Sequence, residues 1–519
     1  MGAESSAMRT SCANELKKPD KRLAHEHWAF RTKFAPVDTE TFASLEVSFG
    51  ELPSDLEGAY VRNGPNPLWN LPTEDSNWHW FFGDGMVHCI RLSGGRASYS
   101  SHFCRTRKFL AEQQRGGPFY NNVAHAGSMR GFLGRWMLEA IGLASGPPSG
   151  PSNTSLVYHN SQLLALCEAD QPLELRVLLD GHLESEARYA CGDKWNAHPK
   201  VDPASGRLYW MDYDVTGRKA IFTFGIVGAG GEVERSCHGM LPGGKALMIH
   251  DCGITEEYAI VIACPILVGI ENLSTEGCIW RYDASHGARI GLFPHEGEDG
   301  EVAPQWFDIE PCYIFHIANA WQEGHLVNLV VVRWDSIDMS GSMQKDSSSF
   351  LSPRRHALWR YTFDLDSNAV TESILSPGTE RLEFPVVNPQ LVGRKSRYIW
   401  AVGSEADEPV FHRIYKFDLD STGAADCQSL TLSTGGGEKL SAGEASFIPR
   451  GPGEDSGYLV TYVVDPLGVA NSYFYVLDAA SLSLLTVISL PVRVPLGFHG
   501  LWMTEEQMVA QRLDEGRQG

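Results

Sequence analysis

The sequence predicts an all-β protein, and a propeller within that class. From residue 36 onward, short runs rich in Val, Ile, Tyr, Phe and Trp alternate with turn residues, the signature of many short strands. The 52 Gly and 28 Pro are spread along the chain instead of collecting in a linker, as frequent tight turns require. One unit also recurs: a β-rich run, an Asp-centred turn and a second β-rich run. It reads "IWRYDASHGARIGLF", "LWRYTFDLDSNAVTESIL", "IYKFDLDSTGAADCQSLTL" and "FYVLDAASLSLLTVISL", with Asp283, Asp364, Asp418 and Asp478 in equivalent places. The last three are about one blade apart, which favours a propeller over a sandwich.

Residues 1–35 read as a polar extension, 36–510 as a single propeller domain and 511–519 as a tail. The 43% hydrophobic content, with 14 Trp and 23 Phe, supplies a large core. The formal net charge of −21 argues against nucleic-acid binding through a basic face. Eleven scattered cysteines without a CxxC pair, and opening residues without an apolar leader, point to reduced thiols in the cytoplasm, with a plastid location left open. The start "MGAESS" fits the N-myristoylation pattern at Gly2. No stretch reaches the 18 or so apolar residues that span a bilayer.

One segment reads as helix. In residues 127–152, Phe132, Leu133, Trp136, Met137 and Ile141 fall at helical spacing, with Arg130 and Arg135 beside them. Two readings fit: a helix packed on the propeller, or an amphipathic patch in peripheral contact with a membrane. Near the start of the domain, Asp84-Gly85 in "FFGDGMVH" reads as a type I′ hairpin turn.

Four histidines share one setting: His198 in "KWNAHPKVDP", His250 in "LMIHDCGI", His316 in "YIFHIANAW" and His499 in "LGFHGLW". Each lies among apolar or aromatic residues, and they are far apart, so neither an HExxH helix nor a zinc finger is formed. A propeller can bring such residues to one axis. Neutral imidazoles suit Fe(II), Zn(II) or Cu(II) without choosing among them. Ligating imidazoles donate their second N–H to a carboxylate or carbonyl. Glu168 in "LLALCEAD", Glu383 in "RLEFPVVNP" and Glu444 in "GEASFIPRG" sit in apolar strands and suit that role, because a buried carboxylate needs a partner. His79 and His88, which flank the Asp84-Gly85 turn, match none of these four settings.

Together with "GAYVRNGPNP" and "HWFFGDGMVHCIRL", these segments make residues 34–505 resemble the carotenoid cleavage oxygenase family. That family includes carotenoid, apocarotenoid and stilbene dioxygenases and a retinoid isomerase. The resemblance implies a seven-bladed β-propeller, a helical dome and one Fe(II) per chain. It implies His198, His250, His316 and His499 as iron ligands, with Glu168, Glu383 and Glu444 holding His250, His316 and His499. Thr154, fourteen residues before Glu168, matches the position where some members place a small branched side chain against a vacant iron site. The implied reaction is cleavage of a conjugated C=C bond in a lipophilic polyene, with both atoms of O2 entering the products.

The segment "ALMIHDCGITEEYAI" most resembles the plant-type carotenoid dioxygenases, so a carotenoid or apocarotenoid is the expected substrate. A stilbenoid is the alternative. The stilbene branch places a lysine before its "NT" motif, however, and here no lysine lies between Lys108 and Lys194. A retinoid-type isomerase shares the iron site, and a metal-free propeller serving as an interaction platform is the rival of another class.

Overall fold

The Asp-centred turns form as local chemistry dictates. The Asp364 carboxylate accepts the N–H groups of Asp366 and Ser367, Asp418 accepts that of Asp420, and Asp478 that of Ser481. These turns end the strands His356–Asp364, Arg413–Asp418 and Tyr473–Asp478, each followed by an antiparallel partner. Asp283 makes the same bond to Ser285 N–H, but its flanking strands part company. Trp280–Tyr282 belongs to a two-stranded sheet, whereas Ala288–Pro294 joins a four-stranded one. The first copy of the repeat is therefore a connection between sheets.

The computed structural model describes residues 32–69, 80–81, 83–118, 120, 149–168, 170–189, 193–276, 278–338, 355–405, 411–420, 426–434, 437–468 and 472–511. The architecture is almost entirely antiparallel β. Among the described residues, α-helix is confined to Arg107–Arg115 and Glu505–Ala510, and no helix is long and apolar enough to cross a membrane. The first helix is capped by the Thr106 side chain, which accepts from Phe109 N–H, and is ended by Gly116 at φ 72°. Phe132, Leu133, Trp136, Met137, Ile141 and His79 lie outside the described residues.

The inner edges of the sheets are Ser155–His159, Lys200–Val201, Cys252–Ile254, Tyr313–Glu323, Ser446–Pro449 and Gly500–Met503, all short except the 11-residue Tyr313–Glu323. Glu380–Val386 opens the second half of the eight-stranded sheet, which it joins to His356–Asp364 through one parallel bridge. Lys200–Val201 lies against Cys252–Ile254, Cys252–Ile254 against Tyr313–Glu323, Tyr313–Glu323 against Glu380–Val386, and Gly500–Met503 against both Ser446–Pro449 and Ser155–His159. The chain ends are tied into common sheets. Gly500–Met503 pairs with Gly58–Arg62, and Val47–Gly50 pairs with Leu484–Ser489. Such pairing protects strand edges that would otherwise be open. Lys33, Phe34 and Ala35 are already buried, with Lys33 N–H donating to Pro466 and the Lys33 carbonyl accepting from Leu496 N–H.

The Asp84-Gly85 pair does not form a type I′ turn, since neither residue has positive φ. Gly85 instead bridges to Pro65, and a Cβ there would lie 2.4 Å from the Ser152 carbonyl oxygen. Close backbone approach is thus the reason for glycine. Asp84 accepts Leu68 N–H and pairs with Lys108 Nζ at 3.1 Å. His88 is buried in the strand Met86–Ser93 and bonds the Tyr99 hydroxyl, away from the other histidines.

Asp251 staples three inner strands. It pairs with Lys200 Nζ at 2.6 Å and accepts the N–H groups of Cys252 and Ile317. The residues tied together are neighbours of His198, His250 and His316. Asp251→Ala leaves one cation and two buried N–H groups without their acceptor. It is expected to destabilise the protein by roughly 3–5 kcal/mol, measured as a lowered urea midpoint at unchanged m-value.

Candidate metal centre

Every candidate side chain except Glu168 sits on or beside an inner strand. Thr154 precedes Ser155–His159, and His198 precedes Lys200–Val201 while bridging to Asp251. His250 precedes Cys252–Ile254, and His499 precedes Gly500–Met503. His316 lies within Tyr313–Glu323 where the register shifts on both sides of Ile317, which re-aims the side chains there. Glu383 lies in Glu380–Val386 beside another register shift, Glu444 lies just before Ser446–Pro449, and Glu168 follows Gln162–Leu166.

The four imidazoles are buried and face one another. The His198 ring centroid is 4.5 Å from that of His250, 5.2 Å from His316 and 4.4 Å from His499. His316 lies 5.3 Å from His250 and 4.8 Å from His499. His198 Nε2 and His250 Nε2 are 3.1 Å apart, and nitrogens of His198, His316 and His499 lie within 4.8 Å of one another.

Three of the rings are fixed from behind. His250 Nδ1 bonds Glu168 Oε1 at 2.5 Å, His316 Nδ1 bonds Glu383 Oε2 at 2.5 Å, and His499 Nδ1 bonds Glu444 Oε1 at 2.8 Å. With Nδ1–H donating to a carboxylate, each Nε2 keeps a free lone pair. His198 has no carboxylate partner among the described residues. Two of the carboxylates are braced in turn. Glu383 accepts from Trp334 Nε1 at 2.7 Å and from Phe384 N–H, and Glu444 accepts from Gly500 N–H.

Burial holds the His198 and His316 imidazoles well below the usual pKa, and the neighbouring imidazoles add to the effect. Both are therefore neutral near pH 7, the form that ligates a metal. Burial raises the Glu383 carboxyl to about 7, against the pull of its two N–H donors. His316 Nε2 is buried and has no hydrogen-bond partner among the described residues. An orphaned nitrogen facing three other imidazoles, with three carboxylates behind, is a donor set that fits a first-row divalent metal.

A cavity of about 260 Å³ adjoins three of the imidazoles, His250, His316 and His499. Its wall is mostly apolar, with Phe315, Phe384 and Phe498 against the histidines and Phe81, Phe411 and Thr154 in the same lining. Thr154 is half-buried, and its hydroxyl donates to Asn153 Oδ1. Sequence reasoning missed Phe384, which has φ 52°. A bulky residue in that region costs about 1–3 kcal/mol and needs support from its surroundings. Here the support is the Phe384 N–H bond to Glu383 and a ring stacked 5.4 Å from His316. Glu444 also borders a second cavity of about 590 Å³, whose lining contains none of the four histidines.

Comparison with known proteins follows this geometry. The family model described as RPE65, retinal pigment epithelial membrane protein, matches residues 34–504. The chain is 32% identical to the carotenoid 9,10(9',10')-cleavage dioxygenase 1 of Pisum sativum, over 95% of this chain and 92% of that one. It is 32% identical to the chloroplastic 9-cis-epoxycarotenoid dioxygenase NCED2 of Oryza sativa subsp. japonica, over 92% of this chain and 84% of that one. The crystal structure of cobalt-substituted Synechocystis ACO superposes with a TM-score of 0.76 at 25% identity, covering 92% of this chain and 98% of that one.

His316→Ala is expected to abolish stoichiometric metal binding. Glu383→Gln, which keeps the ring but weakens its anchor, lowers affinity roughly 10–100-fold. Chelator competition followed by elemental analysis measures both.

Proposed function

Because this chain belongs to the retinal pigment epithelial membrane protein family, the carotenoid cleavage oxygenases, we propose that it is a non-haem Fe(II) dioxygenase that cleaves a conjugated C=C bond of a carotenoid or apocarotenoid. The observation that carries the reading is the set of four inward-facing imidazoles, three anchored on carboxylates, beside an aromatic-lined cavity. The sheets are read as seven blades around the axis on which the histidines meet, with a helical dome above them. Supporting this, four inner strands from Lys200 to Val386 lie each against the next, and the last, Gly500–Met503, returns to the first sheet.

In this reading His198, His250, His316 and His499 hold one iron. When bound, the iron activates O2, so that the alkene is replaced by two carbonyl groups. The chain's own residues supply position, charge and exclusion of water. Glu168, Glu383 and Glu444 fix three imidazole tautomers and offset the charge of a divalent cation. The Thr154 side chain restricts the room beside the imidazoles to a single small molecule. The phenylalanine rings exclude water and align a polyene that offers few polar handles, so the shape of the cavity selects the bond that is cut.

Residues 127–152 are assigned peripheral membrane contact, through which a lipophilic substrate is collected. The protein is assigned to the cytoplasm, with a plastid location left open.

Incubation of the purified protein with carotenoids, apocarotenoids and stilbenes, followed by mass identification of products, tests the function. Aldehydes or ketones from a carotenoid or apocarotenoid are expected, labelled in both fragments under 18O2. Chelation should abolish turnover, and Fe(II) should restore it. Cleavage of stilbenes alone, or no product with any polyene, would overturn the substrate assignment.

A further inference from the structure

Two apolar clusters of the core meet at the cavity. One contributes Met248, Trp280, Phe315 and Trp334, and the other contributes Phe34, Trp80, Phe411 and Leu496. Beside the second cluster the cavity is also lined by Lys33, the one cationic side chain among its described lining residues. Lys33 is 5% exposed. Its backbone is pinned from both sides, by Pro466 and by Leu496, which fixes where the side chain leaves the main chain.

An ammonium carries three donors. Among the described residues, Nζ has one hydrogen-bond partner, Ser441 Oγ at 3.5 Å, the outer limit for such a bond, and it lies 5.4 Å from the Phe34 ring centroid. No described carboxylate pairs with it. An amine buried on these terms is costly unless something else accepts its protons. Burial also lowers its pKa to about 8.

We infer that Lys33 is a specificity-determining residue, whose Nζ donates a hydrogen bond to an oxygen at the end of the bound polyene. Given the polyene reading above, the preferred substrates carry an oxygen-bearing end group, such as a hydroxyl or carbonyl. That end is laid toward Lys33, and the apolar arm runs past the imidazoles toward Trp280. The site differs in place from the lysine of the stilbene branch, which precedes the "NT" motif; here that motif is Asn153-Thr154, and no lysine lies between Lys108 and Lys194.

The test uses metal-free protein and two all-trans polyenes of equal conjugated length, one ending in a hydroxyl group and the other in a methyl group. The hydroxyl accepts a hydrogen bond but forms no imine with an amine. Binding is read by quenching of tryptophan fluorescence. The wild-type protein is expected to bind the alcohol roughly tenfold to a hundredfold more tightly, the range for a hydrogen bond to a charged group. In Lys33→Met that ratio should fall to about one, and in Lys33→Gln, which keeps a neutral donor, to an intermediate value. Methionine nearly matches lysine in length and suits an apolar wall; should that variant fail to fold, Lys33→Gln carries the test. A wild-type ratio near one, or a ratio unchanged in the variants, would overturn the assignment.

Turnover with Fe(II) separates this inference from the reading it rests on. A Lys33-dependent preference without cleavage sinks the oxygenase and keeps the lysine assignment. Cleavage with no Lys33-dependent preference does the reverse.

Discussion

The hydrogen bond from imidazole Nδ1 to a glutamate carboxylate is the contact on which the rest of the site depends. It occurs three times, between residues 82, 67 and 55 positions apart. Each instance does two things at once. It gives a largely desolvated carboxylate the partner it needs, and it turns the opposite nitrogen toward the other imidazoles. Neither residue would be tolerable there alone. The inner strands must therefore be held in register to within a hydrogen-bond length, which is what Asp251 does for three of them. The fold is rigid where the chemistry requires it, because the acids that orient the site also clamp it.

Strain collects at the same place. Phe384 follows Glu383 directly, at a positive φ that only a well-braced backbone sustains. The register shift beside Glu383 turns its carboxylate toward His316 and sets the Phe384 ring against both His316 and His499. One irregularity in one strand thus supplies an anchor for an imidazole and a wall for the cavity. The Trp334 indole secures the other oxygen of Glu383. The division of labour is clear: carboxylates behind the imidazoles, aromatic rings in front.

What was legible in the sequence is what depends on local chemistry. Asp364, Asp418 and Asp478 cap turns because a carboxylate one methylene from the backbone reaches the next N–H groups. The four histidines stood out because apolar strands rarely carry an imidazole without reason. Their pairing with particular glutamates came from the family resemblance, since nothing local joins Glu444 to His499. Asp84-Gly85 was misread because a rule for isolated hairpins was applied where the Ser152 carbonyl approaches. The Asp251 staple, the backbone of Phe384 and the burial of Lys33 are tertiary facts with no local signal. Lys33 in particular stood at the end of a segment read as a polar extension, and only its packing against Pro466 and Leu496 places it at the cavity.

The central claim is that four imidazoles, and no carboxylate, hold a single iron. X-ray absorption spectroscopy at the iron edge, on protein reconstituted with one equivalent of Fe(II), tests it most directly. The account predicts one bound iron per chain and scattering from four imidazole rings, reduced to three in His316→Ala if any iron is retained. Iron bound through fewer than four imidazoles in the unaltered protein, or through a glutamate oxygen, would contradict it.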